Sequence, residues 1–557
     1  MERPLVFNAI SLFMGSLAAL IFFSSITAGA ALAALFLGLL YFTRNKKDFL
    51  LVMLFFILGL ISFSLYFSVN MGDRAVIRIT EKKYYYYLGD FQGRKIIMQG
   101  NIKGIKEGQK ISAAGSFKRE SDYKRGIAGI YTIKSYTVEK GGLISVFYSM
   151  KNNMYMNFKA ILGDKNSALL MALCFGDTSW LTNTQMNEFN RLGVIHAISV
   201  SGFHMAVVYG VMEKVMGLRA ALPAALLYSI FTGMQAATMR AFIMIFVLKL
   251  SRLVWKNYDS ISSLALAAML LLVIKPWYIL DIGFMLSFLS TLGIILFYKK
   301  LNRFFYLLPE KLNETLSISL SAQLFSLPFT AFTLQQFSAG FLLGNLVLLP
   351  FYSILVLLGN AALLISFSTF LFGSLCGYIS IILKSMEGAA YLLLKLSPEV
   401  QYFSWLYGAA LLLIYLSFIF YKKGYKYTLY YPIFVILFLC INSFAFFPQV
   451  IYQRLQGGSS ILVNYKAQRV LICSYDCTKV RDIYKLKEEY GVTKVVANAS
   501  GIINVGDMKI RIDTAEGCYF SNIDINVGGS IYSIKNKYLE ESPDLYVIIL
   551  NRLFHFS

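Results

Sequence analysis

The sequence predicts a polytopic α-helical membrane protein with about 10 to 13 spans, a small extracytoplasmic β-barrel and a short α/β C-terminal domain. Hydrophobic residues make up 57% of the 557 residues, charged residues only 15%, and the mean hydropathy is +0.60. A soluble chain would carry roughly a quarter charged residues. Apolar runs of about 20 residues recur, and only two segments have soluble composition. The predicted domains are N-terminal membrane helices at 1–70, a β-domain at 71–142, amphipathic or interfacial helices at 143–192, a membrane domain at 193–447 and a soluble domain at 452–557.

The first apolar runs set the predicted orientation of the chain. Leu5–Phe23 and Ile26–Phe42 are separated by a very short link, which predicts a helical hairpin. The basic run Arg44 to Lys47 then predicts a cytoplasmic loop, because cytoplasmic loops are rich in Lys and Arg. Phe49–Phe67 would cross outward, so that residues 71–142 lie outside the cytoplasm.

The segment at 71–142 has the pattern of a small β-barrel. Its alternating stretches AVIRI, RKIIMQGNI, QKISAAGSF and GIYTIKSYTV are separated by Gly and Lys turns, which is typical of antiparallel strands. The segment holds 15 Lys and Arg against seven Asp and Glu. In membrane proteins the excess of Lys and Arg lies in the cytoplasmic loops, so this rule does not explain a basic segment on the outer side. The pattern predicts a barrel of the OB-like class, with a polyanion as its ligand.

Aromatic residues lie among these cations, with Tyr84 to Tyr87 in one run. Single-stranded nucleic acid needs a charged groove and stacking platforms, and the segment offers both. The alternative is an ordinary β-domain with strand tyrosines. The candidate DNA-binding residues are Arg78, Lys82, Lys83, Tyr84, Tyr86, Arg94 and Lys95.

A second candidate site is the motif GVIHAISVSGFHMA at 193–206. It contains His196 and His204, two of only three histidines in the chain, with Ser199, Ser201 and Gly202 between them. Polar groups at the mouth of a membrane helix are expensive to bury, so they usually face a water-filled path or a partner. The alternative is a capped helix start with satisfied histidines. Two histidines give no support for a metal site, and no acidic orienter accompanies them for serine-hydrolase chemistry.

Other polar residues in apolar runs are candidates for the same path. Arg240 lies in a continuous apolar run, where a charge more often faces the interior of the helix bundle than lipid. Asp259 and Asp281 are candidates for the path as well, and a structural ion pair of one of them with Arg240 is the alternative. Gln323 and Asn345 either bond between helices or line the path.

Several blocks together resemble the ComEC-type competence proteins, membrane channels that take up transforming DNA. The motif GVIHAISVSGFHMAVV is similar to the family's histidine-serine-glycine-histidine signature, and FGDTSWL stands where its glycine-aspartate segment falls. ATMRAFIMIFVLKLSR resembles its arginine-bearing helix. The stretches at 257–294 and 321–351 resemble its later helices, and 71–142 resembles its OB-fold.

The C-terminal domain departs from that family. Many members end in a metallo-β-lactamase-like domain, whose nuclease motif needs a metal-binding, histidine-rich loop after a strand. Here VTKVVANAS ends at Asn498 and Ser500 with no histidine nearby. We therefore interpret 452–557 as a truncated remnant of that domain and expect no enzyme activity. We expect no cofactor either, since no phosphate-binding Gly-Lys-Ser/Thr loop occurs.

The resemblance implies a multi-pass channel of the cytoplasmic membrane that translocates single-stranded DNA during natural transformation. Its partners would be the lipid bilayer and separate DNA receptor, nuclease and cytoplasmic motor proteins; the oligomeric state stays open. The alternatives are a membrane-embedded hydrolase or lipid-handling protein using His196, Ser201 and His204, and a decayed homologue without transport.

Overall fold

The computed structural model describes residues 3–556 apart from 84–85, 101, 103, 140–141, 199, 399, 403–404, 456–457, 467, 475–491, 493, 498–500, 516–518, 536–543 and 550–551. These residues form two compact units. The first comprises Met1–Ser326 and Ser338–Glu399, and the second Leu327–Phe337 and Val400–Ser557.

The first unit contains most of the helices, and their bounds follow the apolar runs of the sequence. The helices are α1 Pro4–Ser24, α2 Ile26–Thr43, α3 Lys46–Phe67, α4 Leu143–Phe175, α5 Asn183–Arg191, α6 Ile195–Ile198, α7 Gly202–Phe231, α8 Ala236–Leu253, α9 Ser260–Ile274, α10 Ile282–Phe304, α11 Glu310–Thr333, α12 Phe341–Leu364 and α13 Thr369–Leu396. A 3-10 helix, Pro276–Leu280, joins α9 to α10. The final residues of α11 belong to the second unit.

Eight stretches of helix in the described residues are long and apolar enough to cross a membrane. They are α1, α2, α3, α6 together with α7, α10, α11, α12 and α13. Three shorter apolar helices, α9 and two in the second unit, add to this set. The predicted class, a polytopic helical membrane protein, is therefore confirmed, while the total of 10 to 13 spans stays a prediction.

Five strands between α3 and α4 form the predicted barrel. They are β1 Arg74–Lys82, β2 Tyr87–Phe91, β3 Arg94–Gly100, β4 Lys110–Lys118 and β5 Ile127–Val138. The barrel is closed in the order β1-β2-β3-β5-β4, with β4 returning to β1. Alternate residues of β1, including Ile77 and Ile79, are fully buried inside it. Closure removes the exposed edges that an open sheet would leave.

One strand pair of the barrel departs from the antiparallel pattern. β3 and β5 are parallel, with Ile97 opposite Ile130, whereas the other four pairs of the barrel are antiparallel. The chain leaves β3, crosses to form β4 next to β1, and only then returns as β5 between β3 and β4. The sequence shows strand length and alternation, but the spatial order of strands depends on this crossing connection.

The N-terminal helices pack through glycines. A Cβ atom added to Gly15 would overlap the carbonyl oxygen of Phe56, and one added to Gly59 would overlap that of Leu12. The hydroxyl of Ser16 also donates to the carbonyl oxygen of Gly59 at 3.2 Å. α1 and α3 therefore meet backbone to backbone, as small residues allow in membrane helices.

The segment at 143–192 is divided by a break within α4, and its amphipathic or interfacial character stays a prediction. α4 is interrupted at Gly163, whose φ of +79° is not helical. Before this break the helix exposes residues such as Leu143 and Val146, whereas Ser167–Phe175 after it is buried throughout. Thr182 caps α5 through a capping box, in which Thr182 and Gln185 each accept a backbone N–H of the other.

The second unit combines helices with sheets. Its elements are β6 Gln336–Phe337, β7 Gln401–Tyr402, α14 Trp405–Lys422, a 3-10 helix Lys426–Tyr430, α15 Tyr431–Ser443, β8 Ala445–Leu455, β9 Gly458–Lys466, β10 Gln468–Cys473, β11 Lys494–Val496, β12 Gly501–Val505, β13 Met508–Ala515, β14 Tyr519–Val527, β15 Ser530–Lys535, β16 Asp544–Ile549 and β17 Arg552–Phe556. One sheet has the order β11-β10-β9-β8-β16-β17 and another β12-β13-β14-β15.

The two sheets share one apolar core, in which Val463 from the larger sheet and Ile510 and Ile525 from the smaller are fully buried. The predicted helix VRDIYKLKEEYG and the positions Asn498 and Ser500 lie outside the described residues. The likeness to a metallo-β-lactamase domain is therefore not shown and stays a prediction.

Candidate nucleic-acid interface and membrane site

Arginines of the barrel hold it on the end of α3. The Nη2 atom of Arg94 donates to the carbonyl oxygen of Leu65 at 2.8 Å. Arg119 donates from Nη2 to the carbonyl oxygens of Ser68 at 3.3 Å and Val69 at 3.2 Å. The last carbonyls of a helix lack partners within the helix and carry partial negative charge, so guanidinium groups stabilise them.

Lys95 contributes to the same attachment. Its backbone N–H donates to the Tyr66 hydroxyl at 3.1 Å, and that hydroxyl donates to the carbonyl oxygen of Gly126 at 2.9 Å. Its Nζ lies 5.9 Å from the ring centre of Trp277. Burial lowers the pKa of the Lys95 ammonium. Both residues thus attach the barrel to the membrane helices, because the end of α3 supplies partners for them. Their role in binding DNA stays a prediction.

Other cations of the barrel face a cleft on its outer surface. Arg74 and Arg78 lie on the outward side of β1, alternating with buried residues. The Cα of Arg78 stands opposite Asp90 on β2 and Lys110 on β4. The cleft encloses about 520 Å³ and is lined by Arg74, Ala75, Val76, Arg78, Asp90, Phe91, Gln92 and Lys110. Three cations and one carboxylate give it a positive charge, and Phe91 offers an aromatic ring.

The remaining predicted DNA-binding residues surround the turn between β1 and β2. Lys82 and Lys83 are exposed, and the ammonium of Lys83 pairs with Glu81. The backbone N–H of Lys82 donates to Oε1 of Glu107 at 2.8 Å, and burial raises the pKa of that carboxyl group. Tyr86 is half-buried, and its carbonyl oxygen accepts from the backbone N–H of Lys83 at 2.9 Å. Tyr84 lies outside the described residues.

The histidine motif forms a break between two helices, as the sequence predicts. α6 ends at Ile198 and α7 begins at Gly202, with Ser201 in extended backbone as its N-cap. His204 is fully buried, and its Nδ1 accepts a hydrogen bond from the backbone N–H of Ser201 at 3.2 Å. His196 is exposed although its neighbours along the chain are mostly buried. Ser199 lies outside the described residues.

Packing of α8 brings Arg240 to this break. A Cβ atom added to Gly202 would overlap Nη2 of Arg240, so the guanidinium occupies the space where another residue would have its side chain. Nε of Arg240 and Nε2 of His204 are both buried and have no hydrogen-bond partner among the described residues. The structure thus joins three of the predicted path residues, Gly202, His204 and Arg240.

The two aspartates do not pair with Arg240, so the predicted ion pair is wrong. Asp259 caps α9 by accepting from the backbone N–H and hydroxyl of Ser262, at 3.0 and 2.6 Å, and its carboxylate lies 3.4 Å from Arg3. Asp281 caps α10 by accepting from the backbone N–H of Phe284 at 2.6 Å. Both carboxylates are N-caps, which accept hydrogen bonds from backbone amides that have no partner within the helix.

The two amides also bond within the helical framework. Nδ2 of Asn345 on α12 donates to the hydroxyl of Ser319 on α11 at 3.3 Å, while its Oδ1 is buried with no partner among the described residues. Oε1 of Gln323 accepts from the hydroxyl of Ser326, one turn along α11, at 3.3 Å. For Asn345 the contact is the interhelical hydrogen bond that the sequence allowed.

Sequence reasoning missed Arg74, Lys110 and Arg119. The position of Arg74 could have been predicted, because it lies an even number of residues from Arg78 on the same strand and therefore on the same face of the sheet. The sequence does not indicate the roles of Lys110 and Arg119. Lys110 depends on the pairing of β4 with β1, and Arg119 depends on its contact with the residues after α3.

One hydrogen bond of the break bears on the hydrolase alternative, which stays a prediction. The Nδ1 lone pair of His204 already accepts the amide of Ser201. No cluster of three metal-ligating side chains occurs among the described residues.

Part of this helical region is similar to known proteins. Residues 173–423 match the family model described as Competence protein, a range that begins at the buried end of α4 and includes the histidine break and Arg240. This part of the chain is therefore similar to the competence proteins. The resemblance predicted from the sequence is therefore confirmed.

Two curated relatives match the chain over similar lengths. ComE operon protein 3 of Bacillus subtilis is 27% identical over 231 residues, covering 40% of this chain and 29% of the relative. Recombination protein 2 of Haemophilus influenzae is 23% identical over 267 residues, covering 43% and 33%. The matches thus span a third or less of each relative's own length. No solved structure gives a significant match.

Proposed function

We propose that this competence protein takes up transforming DNA by conducting a single strand across the cytoplasmic membrane. The observation that carries the proposal is the mounting of the barrel: Arg94 and Arg119 fix it to the end of α3, while Arg74, Arg78 and Lys110 face an open cleft. A basic cleft attached to membrane helices suits a protein that receives a polyanion and passes it to a pore.

The cleft has the chemistry that single strands need. Its cations neutralise backbone phosphates, and Phe91 provides a surface on which a base stacks. Duplex DNA has its bases paired inside, so only the unpaired strand uses both features. The barrel is proposed to lie outside the cytoplasm, where it meets incoming DNA.

The helical region would supply the route. A polyanion cannot cross hydrocarbon, so the helices must enclose an aqueous path with basic or hydrogen-bonding walls. The exposed imidazole of His196, in an otherwise mostly buried segment, supports water access at the break. Gly202, His204 and Arg240 supply polar groups there.

We further propose that the chain has no hydrolytic activity of its own, so that a separate nuclease, receptor and motor act with it. The sequence around Asn498 and Ser500, which lacks histidine, supports this division of labour.

The test is uptake of labelled DNA by cells that lack this protein. We expect internalised DNA to be lost in the deletion strain and restored by the intact gene. The His204→Ala and Arg240→Ala variants should take up much less DNA at equal protein levels. Unchanged uptake in the deletion strain would eliminate the proposed function.

A further inference from the structure

We propose that the break between α6 and α7 is a binding site for one phosphodiester group of a DNA strand. Its donors are the Arg240 guanidinium, the Nε2–H of His204 and the backbone amides of Gly202 and Phe203, since the capping box of Ser201 and His204 takes the third amide of α7. This inference rests on the proposed function for the identity of the strand, and on the geometry of the break for the chemistry of the ligand.

The first argument is that Arg240 has no counter-ion. Its guanidinium lies against Gly202, its Nε is buried, and no carboxylate pairs with it among the described residues. Glu213, the acidic residue on α7, is occupied by Lys249, whose Nζ lies 2.6 Å from its Oε1. Arg240 is half-buried, and a cation whose buried nitrogen has no partner is unfavourable, so an anion at this position would relieve part of that cost.

The second argument concerns the proton of His204. Because Nδ1 accepts the amide of Ser201, the neutral ring carries its hydrogen on Nε2. That N–H group is fully buried and has no acceptor among the described residues. Leaving a buried donor unpaired costs about 1–3 kcal/mol, which an anionic oxygen would recover.

The third argument is the position of both groups at the start of α7. α7 begins at Gly202, is interrupted only at the non-helical Gly217 (φ +74°), and directs its first amides and the positive end of its dipole toward the break. Broken membrane helices bind anionic groups of their substrates in this way. All three sources present donors and positive charge, so they match an oxyanion.

Gly202 makes the site possible. Any side chain there would take the place of the Arg240 guanidinium and cover the first amides of α7. The absence of a side chain at Gly202 leaves room for the guanidinium at the start of α7.

The test uses the full-length protein in nanodiscs made only of phosphatidylcholine. The probe is the dinucleotide dTpdT, which carries one phosphodiester, and its uncharged methylphosphonate analogue is the reference. In equilibrium dialysis we expect dTpdT to bind at least about tenfold more tightly than the analogue. Arg240→Gln should abolish this difference, and Arg240→Lys should keep part of it, because an ammonium retains the charge but not the planar fork.

Arg252→Gln is the matched control, since it removes an exposed arginine from the same helix and should leave the difference intact. Gly202→Ala gives a second variant, which displaces the guanidinium without removing its charge and should also weaken dTpdT binding. It keeps the test decisive if Arg240→Gln does not fold.

Equal binding of dTpdT and its analogue by the unaltered protein would overturn the site. So would displacement of dTpdT by phosphatidylglycerol added to the nanodiscs, because a lipid phosphate would then be the occupant. If the site binds dTpdT while the deletion strain still takes up DNA, the proposed function fails and the site stands. If uptake needs the protein but Arg240→Gln binds dTpdT normally, the site fails alone.

Discussion

The arginines and lysines of the barrel have different roles, which depend on the groups that they contact. Arg94 and Arg78 are both strand arginines of the same domain, yet Arg94 bonds the end of α3 and Arg78 faces the cleft beside Lys110. Residue type and local pattern are the same, so only the partner separates a structural cation from one that is free for a ligand.

This difference predicts separate effects on binding and stability. Arg78→Gln together with Lys110→Gln should weaken binding of an oligothymidylate to the full-length protein, because phosphate contacts are lost. The slope of log affinity against log salt should fall by about 0.7 for each contact. Fluorescence anisotropy at several salt concentrations measures both quantities.

Two variants control this experiment. Lys134→Gln removes an exposed cation of β5 that does not line the cleft, and it should change the slope little. Arg94→Gln should instead lower the thermal unfolding temperature, because it removes a hydrogen bond to α3. An unchanged slope in the double variant would exclude the cleft as the binding surface.

At the scale of elements, contacts between backbones set how closely helices approach. α1 and α3 meet through Gly15 and Gly59, and α3 in turn carries the barrel. The helix pair is therefore the base on which the nucleic-acid interface stands.

A side chain at this contact should separate the helices. Gly59→Val places its Cβ against the carbonyl oxygen of Leu12, so the unfolding temperature of the detergent-solubilised protein should fall by several degrees. Gly38→Val in α2 is the control, since nothing lies near its added Cβ. If both variants have the same unfolding temperature, the contact at Gly59 does not contribute to the stability of the protein.

At the scale of the molecule, the function requires the barrel and the basic helix ends to lie on opposite sides of the membrane. The proposed orientation places the barrel outside and the end of α10 inside, because Lys299, Lys300 and Arg303 form a basic cluster there.

Accessibility of introduced cysteines tests this orientation. In intact cells a membrane-impermeant maleimide should label Lys124→Cys, at an exposed turn of the barrel, and spare Lys300→Cys. After permeabilisation both should react. Labelling of the unaltered protein, which has six cysteines, gives the background. The opposite pattern would invert the topology and remove the barrel from the path of incoming DNA.

The sequence by itself determined the membrane class, most helix bounds, the barrel and the break at the histidine motif. These features depend on local properties: the length of an apolar run, the alternation along a strand, and the glycine and serines that end a helix. The predicted run at 260–274, for instance, coincides with α9.

Only the tertiary structure decided which polar residues act together. It placed Arg240 against Gly202, left it without either aspartate, and assigned Arg94 and Lys95 to the attachment of the barrel. The physical reason is that the partner of a charge is chosen by the packing of segments far apart in the chain. A carboxylate that caps its own helix is no longer available to a distant arginine, and one sequence read along its length does not reveal that competition.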